Sequence, residues 1–245
     1  GGDAGSGGAI LLAAQAALRS GAGLVSVATR EAHVPALLAR CPEAMVHAVE
    51  GTAELVPLLE RADVLALGPG LGQGEWGRAV FHAAMACGKP RVLDADALNL
   101  LVGTGMPLRA DDIVTPHPGE AARLLGCAIA DVQRDRFGAA AALQQRVGCA
   151  VVLKGAGSLV QAAAQPPAVI CAGNPGMGTG GMGDVLTGVV AALRGQGFDA
   201  HAAAVAGALL HAAAGDAAAR EDGERGLLPS DLLPWLRRLA NPVRR

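Results

Sequence analysis

Between Gly173 and Gly188 the chain reads GNPGMGTGGMGDVLTG, with glycine at 173, 176, 178, 180, 181, 183 and 188. Glycine at this density marks backbone that takes positive φ or lets a ligand come close. From Asp184 the pattern changes, and Val185, Leu186, Val189, Val190 and Leu193 recur at helical spacing. A glycine loop therefore feeds a helix. The first amides of that helix lack intrahelical partners and carry the positive end of its dipole, so they suit phosphate. Asp184 stands at the mouth, where a carboxylate either caps the helix or acts as a base beside a bound phosphate.

The rest of the chain alternates short apolar strands with amphipathic helices. Helices are predicted over 9–20, 35–40, 76–87, 119–125, 131–147 with Asp131 as N-cap, 184–193, 200–219, and 231–239 capped by Ser230. Strands are predicted over 24–29, 64–67, 91–96, 112–114 and 150–153, with a hairpin of 159–162 and 168–172 around Pro166 and Pro167. This alternation predicts an α/β fold with a mainly parallel central sheet and helices on both faces. Four strand ends run into GPGLG (68–72), DADALN (94–99), TPHPGE (115–120) and KGAGS (154–158). In a parallel sheet these ends share one edge with the glycine loop and form a single cleft. All 245 residues are read as one domain. A glycine turn usually follows a strand, so the opening Gly1–Gly8 turn predicts a strand, or a whole domain, upstream.

Composition removes several functions. The net charge is −2 and aromatics are 2% with no Tyr, so the chain lacks both the basic face and the stacking rings of a nucleic-acid binder. The five cysteines are scattered singly with no CxxC pair, which reads as buried free thiols in a reducing cytoplasm. No signal peptide is visible, and the alanine-rich run 202–214 is too short to span a bilayer and carries His211. No early strand–GxGxxG–helix unit exists for Rossmann-type dinucleotide binding.

Within the predicted cleft, Asp94 and Asp96 lie at i and i+2 on a strand and so point the same way. They either bind a metal, as phosphoryl transfer often requires, or bond loop amides and shape the cleft floor. His117 is fixed between two prolines. Lys154 closes a strand just before Gly155 and Gly157, where an ammonium meets phosphate or ribose. His33, His47, His82 and His201 have no assigned role.

Together GPGLG, VLDADALN, TPHPGE, VLKGAGS and GNPGMGTGGMGDVLTG resemble the ADP-dependent NAD(P)H-hydrate dehydratases of the ribokinase-like superfamily. The resemblance runs from the first glycines to the helix after Ala200. GGMGD alone would indicate any ribokinase-like phosphoryl site; TPHPGE beside it is the specific part. The resemblance implies repair of NADH or NADPH hydrated at C6 of the nicotinamide ring, with ADP as co-substrate, Mg²⁺ as cofactor, and AMP and phosphate as products. Carried over by motif, Ala9, Gly70, His117 and Asp184 touch the hydrated dinucleotide. Lys154, Gly155, Ala156, Gly157, Ser158 and Gly183 touch the adenine nucleotide, with Ser158 standing where many relatives have Thr. Asp184 is the base, and the amides of Gly181, Met182 and Gly183 form the anion hole. The resemblance further implies a homotetramer, and an epimerase domain or protein that acts on the same substrate. The alternative is a ribokinase-like kinase that phosphorylates a small vitamin-type alcohol.

Overall fold

A computed structural model describes residues 1–241. Its elements are α1 (Gly7–Arg19), β1 (Ser26–Thr29), α2 (Val34–Arg40), β2 (Met45–Ala48), α3 (Thr52–Arg61), β3 (Leu65–Leu67), α4 (Glu75–Ala86), β4 (Arg91–Leu93) and α5 (Ala95–Leu101). There follow β5 (Ile113–Val114), α6 (Pro118–Leu125), α7 (Ile129–Arg134), α8 (Arg136–Val147), β6 (Ala150–Leu153), β7 (Ser158–Gln161), β8 (Ala168–Ile170), α9 (Met182–Gly195), α10 (Ala200–Asp222) and α11 (Leu232–Leu239). The central sheet has the order β3-β4-β5-β6-β7-β8. Its first four strands are parallel, and β7 and β8 add antiparallel at one end. The sheet is mainly parallel as expected, but β1 lies outside it, paired in parallel with β2 in a separate two-stranded sheet.

Alternation along the strands builds two cores, because successive side chains leave opposite faces. Leu93, Val114, Val151, Leu153 and Leu159 join one buried cluster with Trp76, Phe81, Leu98, Leu124 and Leu143 of α4 to α6 and α8. Val92, Ile113, Val152 and Val160 face the other way, onto Val185, Val189, Ala204, Ala208 and Leu236 of α9 to α11. Helices therefore cover both faces. Gly188 serves this packing: a Cβ there would lie 2.1 Å from the Ala13 carbonyl oxygen, so its absence lets α1 press onto α9. It is a helix-contact glycine rather than a ligand-contact one.

Several expected boundaries move. The run 131–147 is two helices that break at Asp135, whose carboxylate accepts from the Gly138 amide and starts α8. Asp131 is not an N-cap; its carboxylate accepts from the Ala128 amide three residues back. Asp231, and not Ser230, accepts from the Leu228 amide ahead of α11. β2 and α3 were not foreseen. Of the cysteines, Cys41 and Cys149 are buried as expected, whereas Cys127 and Cys171 are exposed; all five are free thiols. α10 is 23 residues long, and by length and composition alone it is apolar enough to cross a membrane, unlike the shorter run first considered. Here it is a core helix, with Ala203, Ala204, Ala208, Ala212 and Ala214 buried on the second cluster.

Candidate functional site

Main-chain bonds carry the parallel ladder one step past the strands. The Asp94 amide donates to Leu67 O at 3.0 Å, Thr115 to Leu93 O at 3.1 Å, and Lys154 to Pro116 O at 2.9 Å. This register sets Gly68, Asp94, Thr115 and Lys154 side by side at the carboxyl edge. Gly68 has φ +127, and a Cβ on it would collide with the Asp94 carbonyl, so the glycine turn lies directly against the next strand end.

The expectation for Asp94 and Asp96 is corrected here. β4 ends at Leu93, Asp94 is the N-cap residue of α5, and Asp96 lies in the first helical turn. Ala95 makes the switch with φ +46, a conformation that L residues seldom adopt. The two carboxylates therefore serve different partners. Asp94, 1% exposed, receives the Lys154 ammonium on Oδ1 at 2.6 Å and the Thr187 hydroxyl on Oδ2 at 2.9 Å. Asp96 accepts from the Gly72 amide at 2.9 Å and from the Gln73 and Asn99 side chains. Asp96 bonds the Gly72 loop amide, the second of the two roles the sequence left open, whereas Asp94 pairs with the Lys154 ammonium and the Thr187 hydroxyl.

Around Lys154 the charges converge. Its ammonium sits 2.6 Å from Asp94 and 3.9 Å from Glu120, a residue only 4% exposed. Glu120 also accepts from the His117 amide at 2.8 Å. Burial pushes the Glu120 carboxyl above its ordinary pKa, against the pull of Lys154. The Gly119 amide donates to His117 Nδ1 at 2.9 Å, so the ring hydrogen of neutral His117 is on Nε2, 3.4 Å from Glu120 Oε1. Burial first, then the cations Lys154 and Arg123, lower the His117 pKa, against the pull of Asp94.

Asp184 faces the same cluster from α9, which packs over β3 and β4. Gly181, with φ +97, is the N-cap residue and no side chain caps the helix. Capping therefore does not account for Asp184. Its carboxyl is pushed up to about 6, first by burial, then by the Asp94 charge, with Asp96 adding and Lys154 opposing. Gly183 brings the helix start onto this cluster: a Cβ there would stand 3.0 Å from Lys154 Nζ and 3.2 Å from Asp94 Oδ2. Of the expected anion-hole amides, Met182 N reaches the Thr179 carbonyl only at 3.4 Å. The glycine loop itself is anchored behind: Asp216 of α10 accepts from Gly173 N and Asn174 Nδ2, both at 3.0 Å, and the Thr179 hydroxyl donates to Leu227 O at 3.1 Å.

The expected nucleotide loop flanks the cluster on the far side. Gly155 takes φ +149, and the Ser158 hydroxyl donates to Gly155 O at 3.1 Å, which closes the turn. Arg136, at the start of α8, reaches over it and donates to the carbonyls of Ala156, Leu153 and Lys154. Ala9 and Gly70 meet on the other side: a Cβ on Gly70, at φ +57, would lie 3.2 Å from Ala9 Cβ. Structure thus brings together Asp184, Lys154, His117 and Gly183, with Ala9 and Gly70 on one flank and 155–158 on the other. Sequence reasoning missed Glu120, Thr187 and Arg136. Glu120 closes the quoted TPHPGE motif, and Thr187 follows Gly183 by one helical turn; Arg136 carries no local signal.

Among the described residues no three His, Cys, Asp or Glu side chains gather as a metal cage. The position between the Asp94 and Glu120 carboxylates holds an internal ammonium instead. The donor set does not suit a resident divalent ion.

The family model described as NAD(P)H-hydrate dehydratase matches residues 1–238. A bifunctional NAD(P)H-hydrate repair enzyme of Coxiella burnetii is 50% identical over 242 residues, 99% of this chain and 49% of that protein. The chain spans about half the length of the curated relatives it matches. A ribokinase-like superfamily protein of Enterococcus faecalis superposes with TM-score 0.89 at 33% identity, over 98% of this chain and 84% of that one. The ADP/ATP-dependent NAD(P)H-hydrate dehydratase of Bacillus subtilis, co-crystallised with ATP and Mg²⁺, superposes with TM-score 0.84 at 28% identity, over 98% and 90% of the two chains. The fold is ribokinase-like.

Proposed function

The chain belongs to the NAD(P)H-hydrate dehydratase family, and from that premise we propose that it is a hydro-lyase that returns hydrated NADH or NADPH to the reduced cofactor at the expense of ADP. The carrying observation is Asp184: a half-buried, uncapping carboxylate with its pKa raised to about 6, at a glycine-framed helix start. Asp184 takes the proton from the C6 hydroxyl. The oxygen forms a bond to the β-phosphorus of ADP, and the bond to the α-phosphate oxygen breaks to leave AMP. Amides at the start of α9 hold charge on the transferring group. The ring nitrogen lone pair then expels phosphate from C6, and the departing phosphate takes a C5 proton, which restores the double bond. Lys154, tied to Asp94 and Glu120, keeps a positive charge beside these steps. Neutral His117 offers Nε2–H as a donor to the substrate. When magnesium is bound on the nucleotide, it neutralises charge on the phosphates.

Ala9, Gly70, His117 and Asp184 form the dinucleotide side in this reading. Lys154, Gly155, Ala156, Gly157, Ser158 and Gly183 form the nucleotide side. The reaction runs in the cytoplasm, where reduced nicotinamide cofactors and free thiols coexist. The protein acts as a homotetramer, and an epimerase on the same or another polypeptide interconverts the hydrate epimers. Product analysis tests the chemistry. Equal amounts of AMP, inorganic phosphate and reduced cofactor are expected; a stable phosphorylated product would instead place the chain among small-alcohol kinases.

A further inference from the structure

A groove of about 360 Å³ opens beside the cleft, lined by Gln73, Asn99, Val102 and Arg123. That volume lies within the range of about 300–1,000 Å³ usual for ligand sites. None of its lining residues touches the reacting atoms in the chemistry above. It is nevertheless built onto the dinucleotide side. Gln73 follows the GPGLG turn and donates to Asp96 Oδ1 at 3.3 Å; Asn99 donates to the same oxygen at 3.4 Å. Asn99 Oδ1 in turn accepts from Arg123 Nε at 3.0 Å. This chain of bonds fixes the guanidinium by one edge only. Arg123 lies one helical turn after Glu120 in α6, near enough to help lower the His117 pKa.

The charge balance gives the groove its chemistry. The cleft proper carries Asp94, Asp96, Glu120 and Asp184, and its ammonium, Lys154, is already paired with Asp94. A dinucleotide brings further negative charge and needs a cation on the side away from ADP. Arg123 makes no ion pair among the described residues, and its terminal N–H groups form the planar fork that matches a phosphate.

We infer that this groove is a phosphate subsite for the half of the hydrated dinucleotide remote from the nicotinamide, with Arg123 as its anion-binding residue. The inference rests on the function proposed above. Two phosphate sources share this chemistry: the diphosphate bridge, present in both hydrated cofactors, and the 2′-phosphate, present only in hydrated NADPH.

The test compares the parent protein with Arg123→Ala and Arg123→Lys, on hydrated NADH and hydrated NADPH at saturating ADP and Mg²⁺. Arg123→Ala is expected to raise the KM for hydrated NADPH at least about tenfold, the scale of a lost charge-assisted hydrogen bond. kcat and the ADP KM should stay within about twofold, and Arg123→Lys should recover part of the loss. An equal rise for hydrated NADH assigns the diphosphate; a rise confined to hydrated NADPH assigns the 2′-phosphate. If the parent turns over and neither KM moves, or if the ADP KM moves instead, the subsite is overturned while the proposed function stands. A parent protein with no turnover would overturn both.

Discussion

At the scale of single residues, Asp184 has consequences for rate and stability that carry opposite signs. Its folded pKa of about 6 exceeds the unfolded value of 3.8, so the folded protein binds that proton more tightly. Below about pH 4 this favours folding, and the benefit is lost as pH rises through 6. Asp184→Asn removes the buried charge. It should stabilise the protein at pH 8, by on the order of 1–3 kcal/mol, and give no gain at pH 4, as thermal melts at the two pH values would register. The same change removes the base and should lower kcat by about 10²–10⁴. A helix cap would behave otherwise, with little effect on rate. In the parent, kcat/KM should rise with pH through an acid limb near 6, set by deprotonation of Asp184 in the free protein; a flat profile from pH 5 to 8 would remove it from the proton transfer.

At the scale of elements, Arg136 ties the proposed nucleotide loop, residues 155–158, to α8. It donates to three carbonyls from the start of α8, and a Cβ on Gly155 would stand 2.9 Å from its guanidinium. Arg136→Ala should raise the ADP KM by about tenfold or more while the KM for hydrated NADH holds, in line with the loss of charged hydrogen bonds. At the opposite edge Arg91 and Asp112 lock the starts of β4 and β5 through a 2.6 Å ion pair that is 2% and 0% exposed. Asp112→Ala leaves a buried guanidinium unpaired and should destabilise the fold by about 3–5 kcal/mol, as read from denaturant melts.

These contacts also explain what the sequence made legible. β4 to β6 are short apolar runs bounded by glycine and polar turns, so their existence and order were plain. β2 has two half-buried residues between two exposed ones, with no alternation and no fully buried residue. α3 carries Leu55 and Leu59 at helical spacing, but Pro57 lies inside it and argues against a helix. The switch from strand to helix at Ala95 occurs within one residue, and apolar spacing does not mark it. Asp184, Lys154 and His117 announced themselves through glycine and proline neighbours. Their partners did not: Lys154 and Thr187 meet Asp94 across 60 and 93 residues of sequence.

At the scale of the molecule, one parallel sheet delivers four strand ends and one helix start to a single edge, and both proposed substrates enter there. The exterior keeps large apolar side chains at Phe198, Leu209, Leu228 and Leu239, each more than 40% exposed. Assembly would bury such groups; light scattering at micromolar concentration should give the mass of a tetramer, and a monomer would contradict the proposed assembly. In the proposed function this edge couples ADP cleavage to dehydration. The direct measurement is the return of NADH absorbance after the protein is mixed with hydrated NADH and Mg²⁺, with and without ADP. Recovery that requires ADP and matches the AMP formed is the predicted result. No recovery, or recovery that proceeds equally well without any nucleotide, would contradict it.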